Sequence, residues 1–143
     1  MQFSSRLPIA VHILLCIVEF DGKYKTTSSF LADSVNVNPV IIRKTLGQLR
    51  DAGLVHVEAG VGGASLAKDP ADITLLDIFD AVECADTELF RFHENPNPAC
   101  PVGRTVHAVL DGRLADVRRA MEDSLRAVTL QSLIDDMEHK LET

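Results

Sequence analysis

The chain has no tryptophan and one tyrosine in 143 residues, and only 5% of it is aromatic. So few rings cannot build a platform on which single-stranded bases stack, and any nucleic-acid partner is expected to be duplex. It also has no apolar run that reaches across a bilayer. The longest candidate, Leu7 to Val18 behind Arg6, covers twelve residues, whereas a spanning helix needs about 20. The following Glu19-Phe20-Asp21-Gly22 offers no small-x-small cleavage site, so this segment reads as a buried helix of a cytoplasmic protein with no membrane partner. Cysteine is scarce as well. Cys16, Cys84 and Cys100 are odd in number and widely spaced, which excludes a secreted disulfide framework and leaves reduced thiols as the expectation. No glycine loop follows a strand as nucleotide binding requires, and no Ser or Cys stands beside a His and an acid at motif spacing, so no enzyme is expected.

What is present is a chain of about one domain, 46% apolar, enough for a core. The net charge of −7 is unevenly spread. Residues 1–68 hold seven Lys and Arg against five Asp and Glu, a balance of +2, and residues 69–143 hold seven against sixteen, a balance of −9. Phosphate responds to the local field, so the N-terminal half can face DNA while the acidic half faces away.

Ser4 or Ser5 can cap a helix running to about Phe20, with Leu7, Val11, Leu14, Leu15 and Val18 as its apolar stripe and Pro8 in the first turn. Thr27 or Ser28 can cap a short helix that turns Phe30, Leu31 and Val35 inward. Asn36-Val37-Asn38-Pro39 stops it and starts another, with Asn38 as N-cap, Pro39 at the first helical position, Ile41, Ile42, Leu46 and Leu49 as the period, and Gly53 as terminator. Two helices of unequal length thus meet across a tight turn. Leu54 to Val57 and Ala64 to Ala67, joined by Gly60-Val61-Gly62-Gly63, read as a hairpin wing. Thr74 caps a helix to Glu83; residues 84–103 form a loop of functional size. From about Val102 to Val128 a long helix carries Val106, Leu110, Leu114, Val117, Met121, Leu125 and Val128 at steps of four and three, the seam of a packed or coiled helix, and Thr129 caps a final helix.

Four stretches carry a family resemblance: Asn38-Pro39-Val40-Ile41-Ile42-Arg43-Lys44; Leu49-Arg50-Asp51-Ala52-Gly53-Leu54-Val55; Gly60-Val61-Gly62-Gly63 with Leu66-Ala67; and Ile73-Thr74-Leu75-Leu76-Asp77-Ile78. In order and spacing they resemble the Rrf-two (Rrf2) family of bacterial winged helix-turn-helix transcriptional regulators, the IscR/NsrR/CymR family. The resemblance implies a mainly α winged helix-turn-helix with a two-stranded wing and a long C-terminal dimerisation helix, acting as a homodimer on double-stranded operator DNA, in the role of a repressor.

A helix-turn-helix sets the N-terminal residues of its second helix in the major groove, which makes Asn36, Asn38, Val40, Arg43 and Lys44 the readers. Arg43 has the fork geometry for guanine; Lys44 and Arg50, with Ser28 and Ser29 at the preceding helix N-terminus, suit phosphate. In the wing, Gly62 and Gly63 permit the turn and backbone contacts to DNA. Glu58 and Ala59 stand where the family often has a minor-groove arginine.

Cluster-holding members of the family have a compact cysteine triad before the long helix, because three thiolates converge on one cluster. This chain has only Cys84 and Cys100 there, fifteen residues lying between them, and so belongs with the branch lacking the triad. No cofactor is expected, an iron-sulfur cluster included, unless His93, His107 or a ligand from another subunit completes a site. Zinc on Cys84, His93, Cys100 and His107 is unsupported by spacing. Cys100, in Asn97-Pro98-Ala99-Cys100-Pro101, opens the long helix, whose field favours thiolate. Two readings stand for it: a thiol that senses an oxidant or electrophile, and a cysteine that packs the loop. Cys16 reads as core, and Cys84 is a second, unranked effector residue.

The expected organisation is a DNA-binding domain over 1–83, an effector or sensor loop over 84–103 and dimerisation helices over 104–143, with DNA affinity altered by a thiol switch or small-molecule effector near Cys100. Two alternatives compete: a dimeric winged-helix interaction module that does not bind DNA, and an iron-sulfur or metal sensor with atypical ligands.

Overall fold

A computed structural model describes residues 4–59, 62–83, 90 and 92–143. Among them lie six α-helices and one two-stranded antiparallel sheet: α1 (Arg6–Glu19), α2 (Ser28–Val35), α3 (Pro39–Asp51), β1 (Val55–Glu58), β2 (Gly63–Leu66), α4 (Leu75–Val82), α5 (Pro101–Arg126) and α6 (Leu130–Leu141). No described helix is long and apolar enough to cross a membrane.

Local chemistry sets the helix starts. Thr27 Oγ1 accepts the Phe30 N–H at 3.2 Å and Asn38 Oδ1 accepts the Val40 N–H at 2.9 Å, each satisfying a donor that the first turn leaves unpaired. Thr74 and Asp77 form a reciprocal capping box at 3.1 and 3.0 Å. Ser5 occupies the N-cap of α1 without a side-chain cap bond; Ser4 instead donates to Glu83 Oε1 at 2.5 Å and fastens α1 to the end of α4.

The core gathers Ala10, Ile13, Leu14 and Ile17 of α1, Leu31 of α2, Ile42, Leu46 and Leu49 of α3, Ile78 of α4, and Leu130 and Ile134 of α6. This corrects the expected stripe on α1. Of its members only Leu14 is buried, and Leu7, Val11, Leu15 and Val18 are half-buried. Helix α1 is apolar on two sides, so a period of 3.6 fits either one; the body took the side with Ala10, where a small residue allows close approach. On α3, Ile42, Leu46 and Leu49 are buried as expected, but Ile41 points outward.

In the wing, Val55 pairs with Leu66, His56 with Ser65, Val57 with Ala64 and Glu58 with Gly63. The return strand therefore begins at Gly63, one residue before the expected Ala64. Helix α6 returns to the body through a short antiparallel bridge, with Leu130 N–H donating to Ile73 O at 2.7 Å and Leu75 N–H to Val128 O at 2.9 Å.

Helix α5 differs from every other helix. None of its 26 residues is buried; Leu110 and Val117 of the expected seam are exposed, and Val106, Leu114, Met121 and Leu125 are half-buried.

Candidate DNA-binding interface and thiol site

On α3 the 3.6-residue period separates two faces. Ile42, Thr45, Leu46 and Leu49 face the core, while Val40, Ile41, Arg43 and Lys44 face out, Val40 with 58% and Ile41 with 44% of its surface exposed. Two large apolar side chains at the start of a helix are thus left about half exposed. Such groups suit thymine methyls in the major groove. Ile41 was missed in the sequence because its apolar character was assigned to the core. Arg43 and Lys44 form no ion pair among the described residues, whereas Arg50 is held by Asp51 Oδ1 at 3.3 Å.

The turn between α2 and α3 fixes the two asparagines. Asn36 adopts a left-handed conformation, φ 62° and ψ 49°, and its N–H closes on Ala32 O. Asn and Gly tolerate that region better than other residues. Asn38 uses its Oδ1 on the cap of α3. Both residues are exposed; the cap expected of Asn38 is formed, and Asn36 turns the chain between the two helices. Ser28 and Ser29 occupy the first turn of α2, Ser29 exposed and Ser28 half-buried, beside amide donors that suit phosphate.

The wing is docked on the body. Thr26 Oγ1 donates to Ala64 O at 2.8 Å and the Ala64 N–H donates to Thr26 O at 3.2 Å. Gly63 lies against this anchor at φ +79°, where a Cβ would come 3.0 Å from the Thr26 nitrogen, and a Cβ on Gly62 would strike Glu58 at 2.4 Å. Both glycines thus have reasons to be glycine inside the chain. Glu58 closes β1 beside them; Gly60 and Val61 lie outside the described residues.

Cys100 is the N-cap of α5 and half-buried. Its sulfur closes no capping hydrogen bond, yet the backbone N–H of Gly103 and then that of Val102 hold the thiol below its ordinary pKa. These are unpaired first-turn donors, which favour the thiolate. The preceding loop folds back over the helix: the Cys100 N–H reaches Asn97 O at 3.1 Å, and a Cβ on Gly103 would meet that same oxygen at 2.4 Å. His107 packs on Phe92 at a tilt of 37° with centroids 4.4 Å apart and meets His93 edge-on at 5.7 Å, a ring cluster not foreseen from the sequence. Cys84 lies outside the described residues.

A family model described as Rrf2, iron-dependent transcriptional regulator, matches residues 3–136. The chain belongs to the Rrf2 family. It is 48% identical over 134 residues to an HTH-type regulator named YwnA of Bacillus subtilis (strain 168), a match covering 94% of this chain and 98% of that protein. A solved structure described as a DNA binding protein is 41% identical, with a TM-score of 0.72 over 91% of this chain and 99% of its own. IscR of T. potens shares the fold at 21% identity, with a TM-score of 0.71 over 98% of this chain and 90% of that one. This Rrf2 protein is a transcriptional regulator with a DNA-binding fold and not an enzyme.

The family description raises the question of iron. Among the described residues of this Rrf2 protein no three His, Cys, Asp or Glu side chains converge as metal ligands, and His93 and His107 are engaged in ring contacts beside Phe92.

Proposed function

We propose that this Rrf2 regulator binds operator DNA as a homodimer, with α3 of each subunit in a major groove, and that it represses transcription until chemistry at Cys100 or a small effector changes the fit. The outward face of α3 carries this reading. Val40, Ile41, Arg43 and Lys44 are exposed at one helix end, a combination of apolar and cationic groups that matches base edges and phosphate. Ser28, Ser29 and Arg50 flank it as phosphate contacts, and the wing backbone at Gly62 and Gly63 follows the adjacent strand.

The dimer rests on α5. Its apolar seam is only partly covered by its own chain, with Leu110 and Val117 exposed, and a second copy of the same seam is self-complementary about a twofold axis. No iron-sulfur cluster takes part, since Cys84 and Cys100 are two thiols where three must converge. Anaerobic reconstitution with iron and sulfide is expected to leave the protein without cluster absorbance.

The test combines sedimentation with footprinting on operators selected from genomic DNA. The wild type is expected to be a dimer that protects two half-sites about 34 Å apart, and Val117→Asp or Met121→Asp is expected to give a monomer with lost protection. A wild-type monomer at micromolar concentration refutes the seam. Dimers that select no DNA would favour the interaction-module reading.

A further inference from the structure

The loop between α1 and α2 carries Lys23-Tyr24-Lys25, all exposed, and the interface described so far uses none of the three. It is a built turn. Phe20 O accepts the Lys23 N–H at 2.9 Å and the Tyr24 N–H at 3.0 Å, and Gly22 takes φ +76°, which glycine enters without steric cost. The Tyr24 ring stacks on Phe30 of α2 with centroids 5.8 Å apart and meets Phe20 edge-on at 5.9 Å. Two residues later Thr26 is buried and bonded to Ala64 of the wing. Lys25 stands between these two clamps. It forms no ion pair among the described residues, whereas Lys23 reaches back to Glu19 at 3.9 Å.

Position gives Lys25 a partner. Gly63 lies against the Thr26 backbone on one side, and Ser28 and Ser29 open α2 on the other. The proposed function sets the wing backbone and the two serines on one duplex, so the phosphates that run from one to the other cross the stretch of chain that joins them, residues 25–27. The charges around that crossing are mixed. Asp21 and Glu58 line the cleft of about 360 Å³ between loop and wing together with Lys23 and Lys25, and the wing has no Lys or Arg from Val55 to Leu66. With Lys23 turned toward Glu19, Lys25 is the cation left to face phosphate at the crossing.

We propose that Lys25 binds a backbone phosphate of the operator duplex, between the groove that α3 reads and the groove that the wing faces, so that the loop carries the positive charge on that side of the interface. The inference rests on the proposed function and adds a contact to it. An ammonium on phosphate carries no sequence information, so Lys25 fixes the register of the protein on the duplex while Val40, Ile41 and Arg43 select bases. The ring stack and the Thr26 anchor hold the lysine where the phosphate passes, which limits the ordering that binding must impose on the loop.

The test measures affinity against salt for the full chain, on the selected operator and on a random duplex of the same length. Each phosphate contact contributes about 0.9 to the slope of log affinity against log salt, and a dimer carries two, so Lys25→Ala is expected to lower the slope by about 1.8. Its deficit against wild type then shrinks about twelvefold between about 50 and 200 mM salt. Both duplexes are expected to lose the same factor, and Lys25→Arg is expected to keep the wild-type slope. Lys25 is exposed, so both variants are expected to keep the wild-type thermal midpoint, which separates a lost contact from a disturbed fold. Phosphate ethylation interference is expected to lose one position per half-site in Lys25→Ala, between the α3 major groove and the adjacent minor groove. A full slope in Lys25→Ala, or a deficit confined to the selected operator, overturns the contact and leaves the proposed function standing. A wild type that binds neither duplex overturns the proposed function itself.

Discussion

Thr26 and Ala64, separated by 37 residues in the chain, are joined by hydrogen bonds of 2.8 and 3.2 Å, with the Ala64 N–H also reaching Thr26 Oγ1 at 3.4 Å, and these fasten the wing to the loop before α2. Thr26 is 3% exposed, so the side-chain bond is shielded from water. Thr26→Val keeps the shape and removes the donor. Leaving the Ala64 carbonyl short of a partner costs about 1 to 3 kcal/mol. Urea unfolding should register that loss, and hydrogen exchange should quicken in β1 and β2 before it does in α1. Uniform exchange across the body would show that the wing is not held at this point.

Gly47 sits on the outer face of α3, one turn beyond Arg43. A Cβ there would meet only the Arg50 guanidinium, at an ordinary 3.8 Å. The helix carries a residue that weakens it and packs against nothing, which points to a close approach from outside. Gly47→Ala should raise stability by about 1 kcal/mol, the helix-propensity difference, and lower operator affinity. Improved stability with unchanged DNA binding would leave the glycine without a role at the interface.

The asymmetry between what was legible and what was not has a physical pattern. Asn38-Pro39 announced the start of α3 because a cap and a fixed φ act within three residues. The long helix α5 was visible for a similar reason, being one periodic pattern on one element. The core face of α1 was not, because Leu7, Val11 and Leu15 are as apolar as Ile13 and Ile17, and only tertiary packing decides between them. Ile41 was misplaced on the same ground: hydropathy does not distinguish a side chain kept for the core from one kept for another molecule. Hydrogen bonds join Ser34 to Cys16 and His12, 18 and 22 residues away, and no local signal anticipates them.

Cys100 should react at a lower pH than Cys16. The N–H groups of Gly103 and Val102 lower its pKa, so its thiolate is present below the pH at which an ordinary thiol ionises, while Cys16 is buried. Iodoacetamide labelling followed by peptide mass analysis against pH gives the two midpoints directly. Cys100→Ser should abolish the early-titrating label and any loss of operator binding on mild oxidation; an oxidation response that survives this substitution would move the switch elsewhere.

Asp80 on α4 has its pKa raised, first by burial and then by the charges of Glu122 and Asp77, against the opposing pull of Arg118 and Arg126. An acid that is harder to ionise in the folded state binds a proton more readily there than in the unfolded chain. Its ionisation therefore weakens folding as pH rises from the ordinary carboxylate value of 3.8 through the folded pKa. Asp80→Asn should raise the thermal midpoint at pH 7 and make little difference below pH 3.8, where both forms are neutral. A substitution that destabilises at neutral pH would mean that Asp80 is held by its arginines after all.

A rod of 26 residues is about 39 Å long at 1.5 Å per residue, and Arg118, Glu122 and Arg126 of its C-terminal half lie within electrostatic reach of Asp80 on α4. That makes α5 a lever with its fulcrum near Arg118. A tilt of about 5° at the fulcrum swings an end 25 Å away through about 2 Å, the scale on which helices slide at switching interfaces. Cys100 sits at the far tip, so under the proposed switch chemistry at the thiol acts where the mechanical advantage is greatest.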